Sequence, residues 1–145
     1  VYPETTPTQR SALLTFSDQQ YGFPMPRFVV LTHDHPFLHW DLLLEQDGAL
    51  RTWRLAQPPE GDGPIDAEEL ADHRLAYLDY EGPVSGGRGT VARWDVGTYE
   101  TIELTAERVV VRLAGEKSRG AAELRRASEP STWIFQRTAS PQGGS

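Results

Sequence analysis

Apolar and polar residues alternate in short runs from residue 27 to residue 137. Arg27–Leu31 is a β-branched and aromatic run, which reads as a strand. Leu38–Glu45 and Leu50–Ala56 flank Asp47-Gly48, a dipeptide that favours a tight hairpin because both residues tolerate positive φ. A Pro/Gly loop follows at Gln57–Gly63. Asp66, with Glu69 three residues on, has the layout of a capping box, so Ala67–Asp72 is expected to be a short helix. Arg74–Tyr80 is expected to be extended, and Gly82–Gly89 to be a glycine-rich loop. Turns are then expected at Asp95–Gly97, Ala106-Glu107 and Gly115–Lys117. They separate strands at Thr90–Trp94, Thr98–Leu104, Arg108–Leu113 and Ser118–Arg126, and Ser131–Arg137 is the last. So many short strands predict a mostly-β barrel or sandwich. Closure removes the open edges a sheet must otherwise protect. The expected architecture is therefore a small closed or partly closed β-barrel of about eight strands with one or two short helices.

The 145 residues fit one domain. Residues 1–26, with Pro3, Pro7 and Pro24, read as an N-terminal arm, 27–138 as the barrel domain and 139–145 as a flexible tail. A net charge of −7 argues against binding a polyanion over a broad basic surface. A local phosphate pocket is compatible with that charge. Lys117 is the only lysine, so 13 of the 14 basic residues are arginine, the side chain suited to bidentate phosphate contacts. The absence of cysteine excludes disulfides, thiolate nucleophiles and cysteine zinc sites. No apolar run is long enough for a membrane-spanning helix, and residues 1–24 lack the layout of a signal peptide. The cytoplasm is the expected location, with no membrane partner.

Three of the four histidines lie in His33-Asp34-His35-Pro36-Phe37-Leu38-His39, and Asp41 follows two residues later. Imidazole and carboxylate are ligands for borderline divalent metals such as manganese, iron and zinc. On a strand His39 and Asp41 point to one face, and the Pro36 turn can return His33 to it. Two nitrogens and one oxygen leave coordination positions open for water and a substrate oxygen. Surface or hydrogen-bonded histidines are the alternative reading of the same residues. His35 precedes proline, sits in the turn, and is expected to support the site or face solvent.

The run Arg27-Phe-Val-Val-Leu-Thr-His33-Asp34, followed by Leu38-His39-Trp40-Asp41-Leu42, resembles the 3′-phosphoesterase domain of bacterial DNA ligase D. That family has a signature of His, five residues, His, one residue, Asp, one residue, Arg. His33, His39 and Asp41 occupy its first three positions. Similar segments follow in order: Asp47-Gly48 through Trp53, Asp72-His73, Tyr77, Asp79-Tyr80-Glu81-Gly82, Gly89-Thr90-Val91, Trp94-Asp95 and Gly115-Glu116-Lys117. The resemblance covers about residues 27–137. It implies a small β-barrel enzyme that uses Mn2+, with Zn2+ or Co2+ as other divalent candidates. The implied reaction removes a 3′-phosphate or a 3′-terminal ribonucleotide during DNA repair. It further implies that His33, His39 and Asp41 hold the metal. His73 and Tyr77 would contact the phosphate from its other side, all five counting as catalytic. If its segment is extended, His73 shares a face with Leu75 and Tyr77, and an imidazole and a phenol can donate to a phosphate oxygen.

Leu43 stands where the signature has arginine. Two function classes follow. One is a metal-dependent phosphoesterase acting on nucleic-acid 3′ ends or another phosphate ester, with a polymerase or ligase in trans. The other is a non-catalytic descendant that binds a metal or a nucleic-acid end. Register supplies a further expectation. If Asp47-Gly48 are the two central turn residues, Leu44 pairs with Arg51, Leu43 with Thr52 and Asp41 with Arg54. Cross-strand partners share a face, so Arg54 is expected on the side of His39 and Asp41, within reach of a phosphate. Arg51 falls on the opposite face. A one-residue bulge would reverse the assignment.

Overall fold

A computed structural model of the chain describes residues 25–129 and 131–138. The arm expected over 1–26 lies, except for Met25 and Pro26, outside the described residues, and so does the tail at 139–145. The strands are β1 (Arg27–His33), β2 (His39–Gln46), β3 (Ala49–Leu55), β4 (Ile65–His73), β5 (Gly82–Pro83), β6 (Thr90–Leu104), β7 (Arg108–Gly115), β8 (Arg119–Arg126) and β9 (Thr132–Arg137). All pairings are antiparallel, in the order β1-β2-β3-β4-β9-β8-β7-β6, and β6 pairs back with β1. The result is a closed eight-stranded barrel. The two-residue β5 is a ninth strand, added to the start of β6 through Gly82↔Val91 and Pro83↔Thr90.

Period-2 alternation fills the barrel. Phe28 and Val30 of β1, Leu42 and Leu44 of β2, and Trp53 and Leu55 of β3 point inward with Trp133, Phe135 and Tyr99. Tyr99 donates its hydroxyl to the Glu45 carbonyl at 2.6 Å, and burial pushes that hydroxyl's pKa up to about 12. The middle outward positions of β1 and β2 are apolar as well. Val29, Leu31 and Leu43 form a second cluster with Leu50, Leu78 and Val91, against which Leu75, Tyr77 and Val84 pack. The middles of β1 and β2 are thus buried on both faces, which explains the apolar runs Phe28–Leu31 and Leu42–Leu44. This outer cluster is the floor on which the candidate site is built.

Three expectations are corrected. Ala67–Asp72 is not helical, because it belongs to β4. Leu55 pairs with Ala67 on one side, and Ala67 with Trp133 on the other, so the segment bridges β3 to β9. Without it the barrel would stay open between those strands, and the ladder overrides the local capping pattern. Arg74–Tyr80 is not extended: Leu75–Leu78 forms a single 3₁₀ turn. The Tyr77 and Asp79 amides donate to the Arg74 and Ala76 carbonyls, which turns Leu78 onto the outer cluster. This turn is the only helical element among the described residues. Finally, Asp95–Gly97 does not end a strand. β6 continues through it, with Trp94 the extra residue of a bulge between Val30↔Asp95 and Leu31↔Arg93.

Candidate metal centre

The β1–β2 register sets the site. His33 pairs with His39 and Leu31 with Asp41, so all four residues project on the outer face. The outer cluster ends at Leu31 and Leu43, and the polar residues begin beyond it. One ligand atom from each of His33, His39 and Asp41 lies within 4.8 Å of the others. His39 Nε2 is 3.2 Å from Asp41 Oδ1, and His33 Nδ1 is 3.6 Å from Asp41 Oδ2. His39 and Asp41 are almost fully buried, while His33 is partly open to solvent. The centre therefore has a closed side and an accessible one.

Hydrogen bonds select which nitrogen of each ring faces the carboxylate. His39 Nδ1–H donates to the Phe37 carbonyl at 2.9 Å, and His33 Nε2–H donates to the Arg88 carbonyl at 2.7 Å. In the neutral rings this leaves the lone pairs of His39 Nε2 and His33 Nδ1 directed towards Asp41. Backbone carbonyls that fix a tautomer in this way are the usual support of metal-binding imidazoles. Among the described residues, His39 Nε2 and Asp41 Oδ1 are buried without a hydrogen-bond partner. Two acceptors so close, both shielded from water, are unfavourable unless a proton or a metal ion lies between them. The residues present therefore fit a divalent metal.

A loop holds this arrangement. Asp34 Oδ1 accepts the Thr90 amide at 2.8 Å, which draws the Val84–Gly89 segment against the start of the site. Gly89 has φ +79°, and a Cβ there would collide with Asp34 Oδ1 and with His35 Cβ. The neighbouring Arg88 carbonyl is thereby placed on His33. Sequence reasoning missed Arg88, Phe37 and the Asp34 clasp. Backbone acceptors carry no residue signature, and the glycine-rich loop was the only available cue. His35 is exposed, with its ring 6.5 Å from that of His33, and is not a member of the centre.

His73 and Tyr77 form a second pair on the same face. His73 lies opposite Leu50 at the end of β4, and its ring centroid is 5.7 Å from that of Tyr77. The 3₁₀ turn makes this contact in place of the expected strand. His73 Nδ1–H donates to the Ala71 carbonyl at 3.0 Å, leaving Nε2 on the ring's other side. Tyr77 packs on the cluster that contains Leu43. Along the strands, the Leu50–His73 level is about 13 Å from the Asp41 level, at roughly 3.3 Å per residue. Leu43 lies between the two levels. It is fully buried, so the position of the signature arginine is part of the apolar floor.

The 3₁₀ turn is pinned at its end by Asp79, which accepts a 2.8 Å bond from Arg27 Nη2. The Arg27 guanidinium holds the Asp79 carboxyl below its ordinary pKa range.

The family model for the DNA ligase D 3′-phosphoesterase domain matches residues 31–126, which include all five of these site residues. The chain belongs to the DNA ligase D 3′-phosphoesterase domain family. A similar protein is the multifunctional non-homologous end joining protein LigD of Pseudomonas aeruginosa, 32% identical over 122 residues and covering 75% of this chain. The LigD of Mycobacterium bovis is also 32% identical, over 120 residues and 76% of the chain. That of Mycolicibacterium smegmatis is 35% identical over 80 residues. The chain spans only 14% and 16% of the length of the first two relatives. What it shares with them is thus one domain of a larger protein.

Proposed function

We propose that this chain is a metal-dependent phosphoesterase of nucleic-acid 3′ ends, removing a 3′-phosphate or a 3′-terminal ribonucleotide with Mn2+. The observation that carries the reading is the donor-free pairing of His39 Nε2 with Asp41 Oδ1 beside His33, in a chain of this family. When bound, the metal supplies Lewis-acid polarisation of a phosphoryl oxygen and a more acidic bound water. His33, His39 and Asp41 hold it, and the Phe37 and Arg88 carbonyls keep both rings in the ligating tautomer. His73 and Tyr77 approach the substrate from across Leu43 and donate hydrogen bonds to oxygens that gain negative charge. The partner class is a nucleic-acid 3′ end, with a polymerase or ligase acting on the trimmed terminus in trans and the cytoplasm as the site of action.

The burial of Leu43 favours a second reading, in which the domain binds a metal and a nucleic-acid end without turnover. One assay separates the two. A 3′-phosphorylated oligonucleotide is incubated with Mn2+ and the chain, and phosphate release is measured. Metal-dependent release that falls by about 10²–10³ in His73→Ala supports the phosphoesterase. Release within a few-fold of the wild type would make His73 structural. No release despite tight metal binding would establish the binding protein.

A further inference from the structure

We propose that Arg54 is the phosphate-binding cation of this site, acting from β3 and reaching the substrate beside the metal centre. The inference deepens the reading above and rests on it. Its basis is the observed register. Gln46↔Ala49 through Asp41↔Arg54 run without a bulge, so Asp41 and Arg54 are direct cross-strand neighbours on the outer face. Arg54 in turn pairs with Glu68 of β4. One row across four strands therefore reads Leu31, Asp41, Arg54, Glu68.

A cation between two carboxylates could simply neutralise both. The contacts argue otherwise. The closest approach of Arg54 to Glu68 is 4.0 Å, from Nη1 to Oε1. Among the described residues Arg54 Nε is buried and has no hydrogen-bond acceptor. Arg51, three residues earlier on the opposite face, shows what a structural arginine looks like here. Its Nε donates to Glu69 Oε2 at 2.8 Å, and its guanidinium lies 4.8 Å from the centre of the Trp53 ring. Both arginines are largely buried, at 17% and 29% exposure, but of the two only Arg51 has its Nε hydrogen-bonded.

Arginine cannot shed its proton, so an unmet buried N–H on it is a standing cost to the fold. The ligand that removes this cost is an anion with several acceptor oxygens in one plane of approach. A phosphoryl group matches the guanidinium fork, which can bind it through two parallel hydrogen bonds. The adjacent centre would hold the same group from the Asp41 side. A single phosphoryl would then be held by Arg54 on one side and by the centre of His33, His39 and Asp41 on the other, with the buried Leu43 as the floor beneath it.

The test uses the full chain and two calorimetric titrations: Mn2+ alone, then inorganic phosphate in the presence of saturating sub-millimolar Mn2+. Arg54→Leu should bind Mn2+ at least as tightly as the wild type, because it removes a positive neighbour. Its phosphate affinity should fall about ten- to a hundred-fold. Arg54→Lys, which keeps the charge and loses the fork, should fall between the two. Arg51→Leu should leave phosphate affinity unchanged. Phosphate binding by Arg54→Leu within two-fold of the wild type would overturn the proposal, and so would loss of its Mn2+ binding, which would make Arg54 a structural partner of Asp41. Should the wild type take up no Mn2+, the metal reading fails by itself. Titration with phosphate alone then decides: binding lost in Arg54→Leu upholds the Arg54 site, and no binding by the wild type rejects it.

Discussion

Asp41 and Asp95 are equally buried, each 3% exposed, yet their surroundings are opposite. Asp95 sits at the β6 bulge and accepts four backbone N–H bonds. Val96, Glu116 and Lys117 donate to Oδ1 at 2.9, 2.8 and 3.0 Å, and Ser118 donates to Oδ2 at 2.7 Å. It ties the β7–β8 turn to β6. A side chain on Gly115 would strike its carboxylate, and one on Gly97 would strike the Ala114 carbonyl, so both positions are kept bare. Among the described residues Asp41 accepts no such bond and faces the ring nitrogens His39 Nε2 and His33 Nδ1. Burial alone therefore does not mark a functional carboxylate. The supply of donors does. A carboxylate surrounded by amides is part of the scaffold, and one surrounded by acceptors awaits a cation.

The largest effect should come from breaking the satisfied carboxylate. Asp95→Asn removes the charge from four charge-assisted hydrogen bonds and turns part of the acceptor into a donor. A loss of about 3 kcal/mol or more is expected, lowering Tm by roughly 10 °C. Thermal unfolding followed by circular dichroism checks this. A Tm within about 2 °C of the wild type would show that the β7–β8 turn does not need Asp95.

A smaller and more selective effect is expected at Gly89. Alanine there must adopt positive φ and press on the Asp34 clasp, moving the Arg88 carbonyl off His33. Metal affinity should drop about 10–100-fold, the range seen when a ligand loses its supporting hydrogen bond. Titration with Mn2+ measures it, with the barrel's circular dichroism spectrum retained.

Least should change at Asp79, whose exposed carboxylate pairs with Arg27. Its lowered pKa means that it stabilises the fold above the unfolded-state value of about 3.9, and that this contribution fades as pH falls through the lower folded value. Solvent screening keeps it under about 1 kcal/mol. Asp79→Asn should lower Tm by a degree or two at neutral pH and match the wild type at about pH 2. Equal Tm values at both pH values would remove the ion pair from the account.

Much of the site was legible because its register is local. Asp47-Gly48 is a two-residue turn, with φ 51° and 86°, and it dictates every pairing back to Asp41↔Arg54. Alternation then puts His39 and Asp41 on one face, and the short connection returns His33 to them. The failures share a cause: contacts distant in sequence override a local pattern. The Asp66 and Glu69 spacing resembles a helix cap, but β3 and β9 claim those backbones. Asp95-Val96-Gly97 has turn composition, but its carboxylate serves amides 21 to 23 residues away. His73 and Tyr77 do meet, through a 3₁₀ turn set by the packing of Leu78 rather than through a strand.

On the proposed reading, Asp41 lacks donors because it holds a metal with His33 and His39. Calorimetric titration of the wild type, Asp41→Asn and Asp95→Asn with Mn2+ tests it most directly, with Zn2+ and Co2+ run in parallel because intrinsic affinity varies along the metal series. The wild type should bind one ion, and at about 100 times Kd gain roughly 2.7 kcal/mol of stability. Asp41→Asn should bind none and, without metal, be at least as stable as the wild type. Asp95→Asn should be less stable but still bind one ion at a temperature where it is folded. Undiminished metal binding by Asp41→Asn, or a metal-free stability loss as large as that of Asp95→Asn, would contradict the account.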